Sequence, residues 1–210
     1  MPDLRHDEHR VALGFLTIGQ TDGLADDGVR VLDPFSTLIS AGTQIGAGTV
    51  IYPSVVIQRE EASTLVLGSG NVLFPGTLLL AANGGRLVIG DECEFGPGTV
   101  QVKANRPDAD IAIGNGARLL NGCELTGHSQ LGDGCQIIGP VQAQSVQLGS
   151  GLGGYAWPEP AERGALLKGA GLARGIRLSR GEVISCQASF GGAVVEQQEH
   201  YHPGSSRPAP

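Results

Sequence analysis

The sequence predicts an all-β, three-sided parallel solenoid, and three observations carry that prediction. First, Gly supplies 34 of 210 residues while aromatics reach only 4%, against a usual glycine share of roughly 7%. A chain so poor in Phe, Tyr and Trp lacks the large buried areas those rings provide. Its 40% apolar share must therefore pack as narrow aliphatic coils broken by frequent turns. Second, Ile or Leu followed by Gly recurs at Ile45, Leu67, Ile89, Ile113, Leu131 and Leu148, at intervals of 22, 22, 24, 18 and 17 residues. Third, six residues after the first five of these come Ile51, Leu73, Phe95, Leu119 and Ile137, and six further on Ile57, Leu79, Gln101, Leu125 and Ala143. Three such hexapeptides make one rung of about 18 residues, the self-similarity of a stacked repeat.

The fifth place of each hexapeptide sets the register. After the first-face residues it holds Thr49, Asn71, Cys93, Ala117 and Cys135, and after the second-face residues Val55, Thr77, Thr99, Cys123 and Val141. All are small or modest, as a narrow prism requires when one large aliphatic side chain fills the axis. Gly and Pro stand at turns such as Tyr52-Pro53-Ser54, Phe74-Pro75-Gly76 and Gly96-Pro97-Gly98, where they accept tight corner dihedrals at little cost. The period is strong over 39–148 and returns over 166–190 as Leu166, Leu172, Leu178, Ile184 and Phe190. About seven rungs at roughly 4.8 Å spacing give a prism about 33 Å long. End rungs of a solenoid need covers, which assigns residues 1–30 and 191–210 to the ends of a coil spanning 31–190. Residues 191–210 are expected as a flexible C-terminal tail, the run from Pro203 to Pro210 having the composition of a disordered segment.

Several classes fall away on composition. Collagen needs glycine at every third position with abundant proline, and this chain has neither. A mean hydropathy of +0.03 is too high for a disordered chain. Net charge is −7, with Lys103 and Lys168 the only lysines, the opposite of the basic excess of a nucleic-acid binder. Cys93, Cys123, Cys135 and Cys186 form no CxxC pair, a poor disulfide or zinc framework, and Cys93, Cys123 and Cys135, in the small-residue columns, read as packing residues. The start, MPDLRHDEHR, has no apolar core, and no run approaches 18 apolar residues, which predicts a soluble, cytoplasmic protein without a membrane span. The sequence lacks a P-loop, a GxSxG elbow and a GxGxxG in a strand–helix setting.

The repeat resembles the left-handed parallel β-helix of the hexapeptide-repeat superfamily. The left hand comes from that resemblance, since parallel crossovers are ordinarily right-handed. The residues beyond 18 in the longer rungs fall within Arg59–Thr64, Ala82–Arg86 and Ala104–Asp110 on the third face. They read either as tolerated surface insertions or as a stacked wall beside a cleft. A further insertion falls near 154–163, around Ala156-Trp157-Pro158-Glu159-Pro160.

Beside that wall stands His128, at the outward fourth place of Leu125-Thr126-Gly127-His128-Ser129-Gln130 and the one histidine within the repeats. It reads as a polar surface residue or as a general base. The segment from Gly127 to Cys135 resembles the histidine region of the UDP-GlcNAc acyltransferases. That resemblance implies acyl transfer from a CoA or carrier-protein thioester to a hydroxyl or amine, with His128 as the base in a groove between subunits of a homotrimer. Arg163, Lys168, Arg174, Arg177 and Arg180 fall within 18 residues free of acidic side chains. They read as a solvated face, as a contact for the acidic N-terminal segment, or as a site in which Lys168, Arg174, Arg177 and Arg180 bind the phosphates of acyl-CoA as a co-substrate. No tightly bound cofactor is expected.

The γ-class carbonic anhydrases share this fold, but their zinc needs three converging imidazoles, which a single rung histidine cannot supply. The pair His200 and His202 in Glu199-His200-Tyr201-His202 lacks a third ligand for a metal. The runs Ile45-Gly-Ala-Gly-Thr-Val-Ile-Tyr-Pro, Leu87-Val-Ile-Gly-Asp-Glu and Leu131-Gly-Asp-Gly-Cys-Gln-Ile also resemble, in layout, the small pointed-end subunits of dynactin. That likeness implies the alternative of a non-catalytic β-helical scaffold.

Overall fold

The computed structural model describes residues 4–152, 156–187 and 190–202. Pro203–Pro210 of the expected flexible tail, residues 1–3, and residues 154–155 of the expected insertion lie outside the described residues. Three parallel sheets wrap one core. The first face stacks seven strands from Gln44–Ile45 to Arg177–Leu178, and the third stacks seven from Leu38–Ile39 to Gly171–Arg174. The second face has nine, from Arg30–Val31 to Glu196–Gln197, the last of them antiparallel.

The aliphatic columns predicted from the period are the registers of these sheets. Leu67, Ile89, Ile113, Leu131, Leu148 and Leu178 pair in one line, each buried. Ile51, Leu73, Phe95, Leu119 and Ile137 form the second line, continued by Leu167 and Ile184. A full burial is worth about 1.5–3 kcal/mol for such a side chain, so these columns hold the prism together. The corner column Thr49, Asn71, Cys93, Ala117 and Cys135 is buried throughout. Burial pushes the Cys93 thiol up to about 11 and those of Cys123 and Cys135 to about 12.

Two register assignments shift by one residue. On the third face Val102, not Gln101, pairs with Leu79 and Leu125, and Val100 rather than the exposed Thr99 takes the small inner place. The turn at the cis Gly96-Pro97 bond holds one residue more than its neighbours. Near the C-terminus the inward residues are Leu167 and Ala173, while Leu166 is half-buried and Leu172 is 40% exposed. Ala173 lies five residues before Leu178, as Ala143 lies five before Leu148, so stepping back by sixes from Leu178 lands on the wrong side of the strand.

The third-to-first corner holds the extra length, though mostly as strand. The flanking strands lengthen to four residues, as in Val56–Arg59 and Thr64–Leu67, adding Ala81, Ala104, Leu65, Leu87 and Ile111 to the core. What remains outside are the turns 60–63, 82–85 and 105–109. They are tied together where Asn83 donates its N–H to Glu60 Oε2 (2.7 Å) and its Nδ2 to Asn105 O (3.1 Å).

The first-to-second corner explains the repeated Ile/Leu-Gly pair. Here Asp91 Oδ1 accepts the Ser69 N–H, Asn115 Oδ1 the Asp91 N–H, Asp133 Oδ1 the Asn115 N–H, and Ser150 Oγ the Asp133 N–H, at 2.7–3.1 Å. Each side chain lies where a Cβ on the preceding rung's glycine would sit. A Cβ at Gly90 would be 2.5 Å from Asn115 Oδ1, and one at Gly132 would be 2.3 Å from Ser150 Oγ. Glycine follows the aliphatic residue because the next rung's corner side chain occupies its space.

Both ends are covered. Helices α1 (Leu4–Ala12) and α2 (Ile18–Gly23) lie at the first rung. Between them Leu16 N–H bonds Ile39 O and Ala41 N–H bonds Gly14 O across the edge of the third face. At the other end Phe190 is buried, Glu196–Gln197 adds the antiparallel strand, and Gln198 Nε2 donates to Gly164 O (2.6 Å). Residues 196–198 thus lie against the last rung. No described helix is long and apolar enough to cross a membrane.

Candidate functional site

His128 sits in the two-residue turn between strands Glu124–Thr126 and Ser129–Leu131 at the third-to-first corner. Gly127 has φ +76°, and a Cβ there would be 2.5 Å from Ser145 Oγ. That oxygen accepts the His128 N–H at 3.3 Å. On the other side Ser129, fully buried, donates its hydroxyl to Thr126 O (2.8 Å) and accepts the Val146 N–H (3.2 Å). The backbone under His128 is therefore fixed by two serines while its side chain stands exposed. Among the described residues the ring forms no hydrogen bond or ion pair.

The turn one rung before it is 105–109, with the exposed pair Arg106–Asp108 at 3.5 Å. On the outer third face beside it, Lys103 Nζ meets Glu124 Oε1 at 2.6 Å. Toward the C-terminal end the same corner carries Gln144 and Gln147, then Arg174 and Arg177, in register with Thr126 and Gln130. Two rungs separate His128 from the arginines, about 10 Å at the usual strand spacing.

A shallow groove runs on either side of this ridge. That on the third face, about 260 Å³, is lined by Glu124, Thr126, Gln142, Gln144, Leu172 and Arg174. That on the first face, about 630 Å³, is lined among others by Gln130, Gln147, Ser150 and Arg177. Arg174 Nε is held on Gln144 Oε1 (2.8 Å).

The basic run does not form one patch. Lys168 lies exposed on the outer second face, in register with Ile138. Arg180 is at the first-to-second corner with Nε on Ser150 O (3.4 Å), and Arg163 donates its Nε to Trp157 O (2.8 Å) while its Nη1 faces His202 Nε2 (3.3 Å). Only Arg174 and Arg177 share the corner of His128.

Sequence reading missed a groove of about 520 Å³ at the first-to-second corner, lined by Glu92, Glu94, Asn115, Arg118 and Asp133 under Leu152. The signal was available in the register: Glu94 and Arg118 are paired neighbours on the second face, with Arg118 Nε on Glu94 Oε2 at 2.7 Å. Among the described residues no cluster of three or more His, Cys, Asp or Glu side chains is placed to hold a metal.

No protein-family model and no curated protein matches the chain. Among solved structures it aligns with PerB from Caulobacter crescentus, crystallised in complex with CoA and GDP-perosamine. The two share 13% identity at a TM-score of 0.22, over 87% of this chain and 69% of that one.

Proposed function

We propose that the chain is a hexapeptide-repeat acyltransferase that moves an acyl group from a CoA or carrier-protein thioester to a hydroxyl or amine. The observation that supports this reading is the ridge itself: an outward His128, its ring unengaged among the described residues, between two grooves that each hold one arginine. The imidazole takes the proton of the acceptor as its oxygen or nitrogen attacks the thioester carbonyl. The tetrahedral intermediate then expels the thiolate, and the imidazolium returns the proton to that sulfur. Arg174 and Arg177 bind the phosphates of CoA. Lys168 and Arg180, on other sides of the prism, are left outside this site. A homotrimer would bring a second subunit's face against the ridge and turn each shallow groove into a cleft.

The test is calorimetric titration with CoA and acetyl-CoA, paired with free-thiol release from acetyl-CoA across a panel of hydroxyl and amine acceptors. His128→Ala loses roughly 10²–10⁴ in rate with CoA affinity and fold unchanged. Arg174→Ala with Arg177→Ala weakens CoA binding, and the loss shrinks at high salt. Absence of heat and of thermal shift at millimolar CoA sinks the CoA-dependent form. A wild type that is also inactive with carrier-bound donors favours the scaffold.

A further inference from the structure

The N-terminal cap carries an apolar surface that the coil leaves uncovered. Helix α1 and Leu13 line a pocket of about 360 Å³ with Phe15, Ile18, Phe35 and Leu38. Phe15 is buried and Ile18 and Leu38 are half-buried, so these three form its floor. Leu13 and Phe35 stand 74% and 70% exposed at its rim, and Val11 and Leu32 follow on the same two segments at 58% and 48%.

The rim is held firmly. Arg10 Nη2 donates to Phe35 O (2.7 Å) and Pro34 O (3.0 Å), which ties the turn to α1, and Asp33 Oδ1 accepts the Phe35 N–H (2.9 Å). The Phe35 backbone is thus fixed on both sides while its ring projects into solvent, the kind of preorganised aromatic anchor that dominates protein interfaces. At roughly 150 Å² or more per large side chain, the four exposures leave about 400 Å² of apolar surface bare. Two such surfaces meeting bury about 800 Å², near the roughly 65% apolar share of an interface at the lower end of roughly 1,200–2,000 Å².

We infer that this surface docks a second copy of the chain about a two-fold axis, Phe35 of each copy entering the pocket of the other. An isologous contact requires one surface to carry both the projection and the cavity that receives it, and here the two adjoin. A small ligand would fill the pocket and leave Leu13 and Val11 bare, and a lipid surface would leave the pocket hollow. The contact lies at the first rung, away from His128, so it stands whichever way the acyl-transfer reading is decided. It doubles whatever assembly the side faces build.

Sedimentation equilibrium tests it. Up to roughly 100 μM, where a contact of this size saturates, the wild type should run at an even multiple of 21.6 kDa. Leu13→Ser with Phe35→Ser should halve that mass, with the circular dichroism spectrum unchanged because both side chains are exposed. Phe35→Ser alone should weaken the association roughly tenfold or more, and Phe35→Tyr should keep it. Hydrogen exchange on the wild type is the companion measurement: on dilution, the amides of 32–38 should lose protection as the mass halves. An odd-multiple mass for the wild type, the same mass in the double variant, or exchange over 32–38 that ignores the change in mass would each overturn the inference. So would co-sedimentation of the wild type with phosphatidylcholine–phosphatidylglycerol vesicles that the double variant loses, which would give the surface to a membrane.

Discussion

Asn71→Ala tests what an internal polar side chain does in an otherwise aliphatic prism. Ala117 already occupies the same column, so the substitution fits sterically and changes mainly hydrogen bonding. Asn71 is fully buried; its Nδ2 donates to Gly68 O (2.8 Å) and Gly90 O (3.0 Å), and its Oδ1 accepts the Cys93 N–H (2.8 Å). In the variant Gly68 O keeps Thr49 Oγ1 at 3.3 Å. The Cys93 N–H is left buried and unpaired, and Gly90 O, on a half-buried glycine, turns to water. One full orphan and one partial one cost about 2–4 kcal/mol. For a chain of this size that lowers Tm by roughly 4–16 °C. Thr49→Ala, which removes bonds of 3.3 and 3.4 Å and leaves the Asn71 N–H without that acceptor, should lose less, about 1–2 kcal/mol. Urea unfolding followed by circular dichroism gives the free energy, and amide exchange at Cys93 reports the orphan directly. A loss under about 1 kcal/mol, with the Cys93 amide as protected as in the wild type, would refute this reasoning.

Burial holds the Cys93, Cys123 and Cys135 thiols at about 11, 12 and 12 against an ordinary 9.0. The folded state thus keeps protons that the unfolded chain releases. Stability is full below about pH 9 and falls above it by about 1.4 kcal/mol per pH unit for each thiol, a slope that alanine at all three should flatten in melts from neutral to alkaline pH. The same three should resist thiol reagents in the native protein while the half-buried Cys186 labels first. Leu167→Ala should cost about 2–5 kcal/mol and Leu166→Ala far less in urea titration, and the reverse order would overturn the register. Gly90→Ala should destabilise the first-to-second corner, and adding Asn115→Ala should recover part of the loss. Strict additivity of the two in a double-mutant cycle would show that the glycine is not there to make room.

The aliphatic columns were legible because burial imposes the six-residue period directly, as at Ile51, Leu73 and Phe95. The misplacements at Gln101 and at Leu166 have one cause: a corner that gains or loses a residue shifts the count without changing the residue types around it. The basic run shows the opposite limit. Arg163 to Arg180 is one full turn of the coil, so charges adjacent in sequence are carried to different sides of the triangle. Thr126, Gln144 and Arg174 share one line although 48 residues separate the outer two. The outward aim of His128 was readable from its hexapeptide place. The Ser145 contact that fixes its backbone was not, since Ser145 comes from the next rung.

The corner bonds from Ser69 to Ser150 run in one direction, each backbone N–H completed by a side chain about 17–24 residues later in the chain. During synthesis, then, a newly emerged turn leaves the ribosome with its corner amide open until the following turn arrives. The growing tip of the nascent protein is always one coil behind its own completion. A stalled or truncated chain would present that single unfinished edge to chaperones, while every turn before it is already closed.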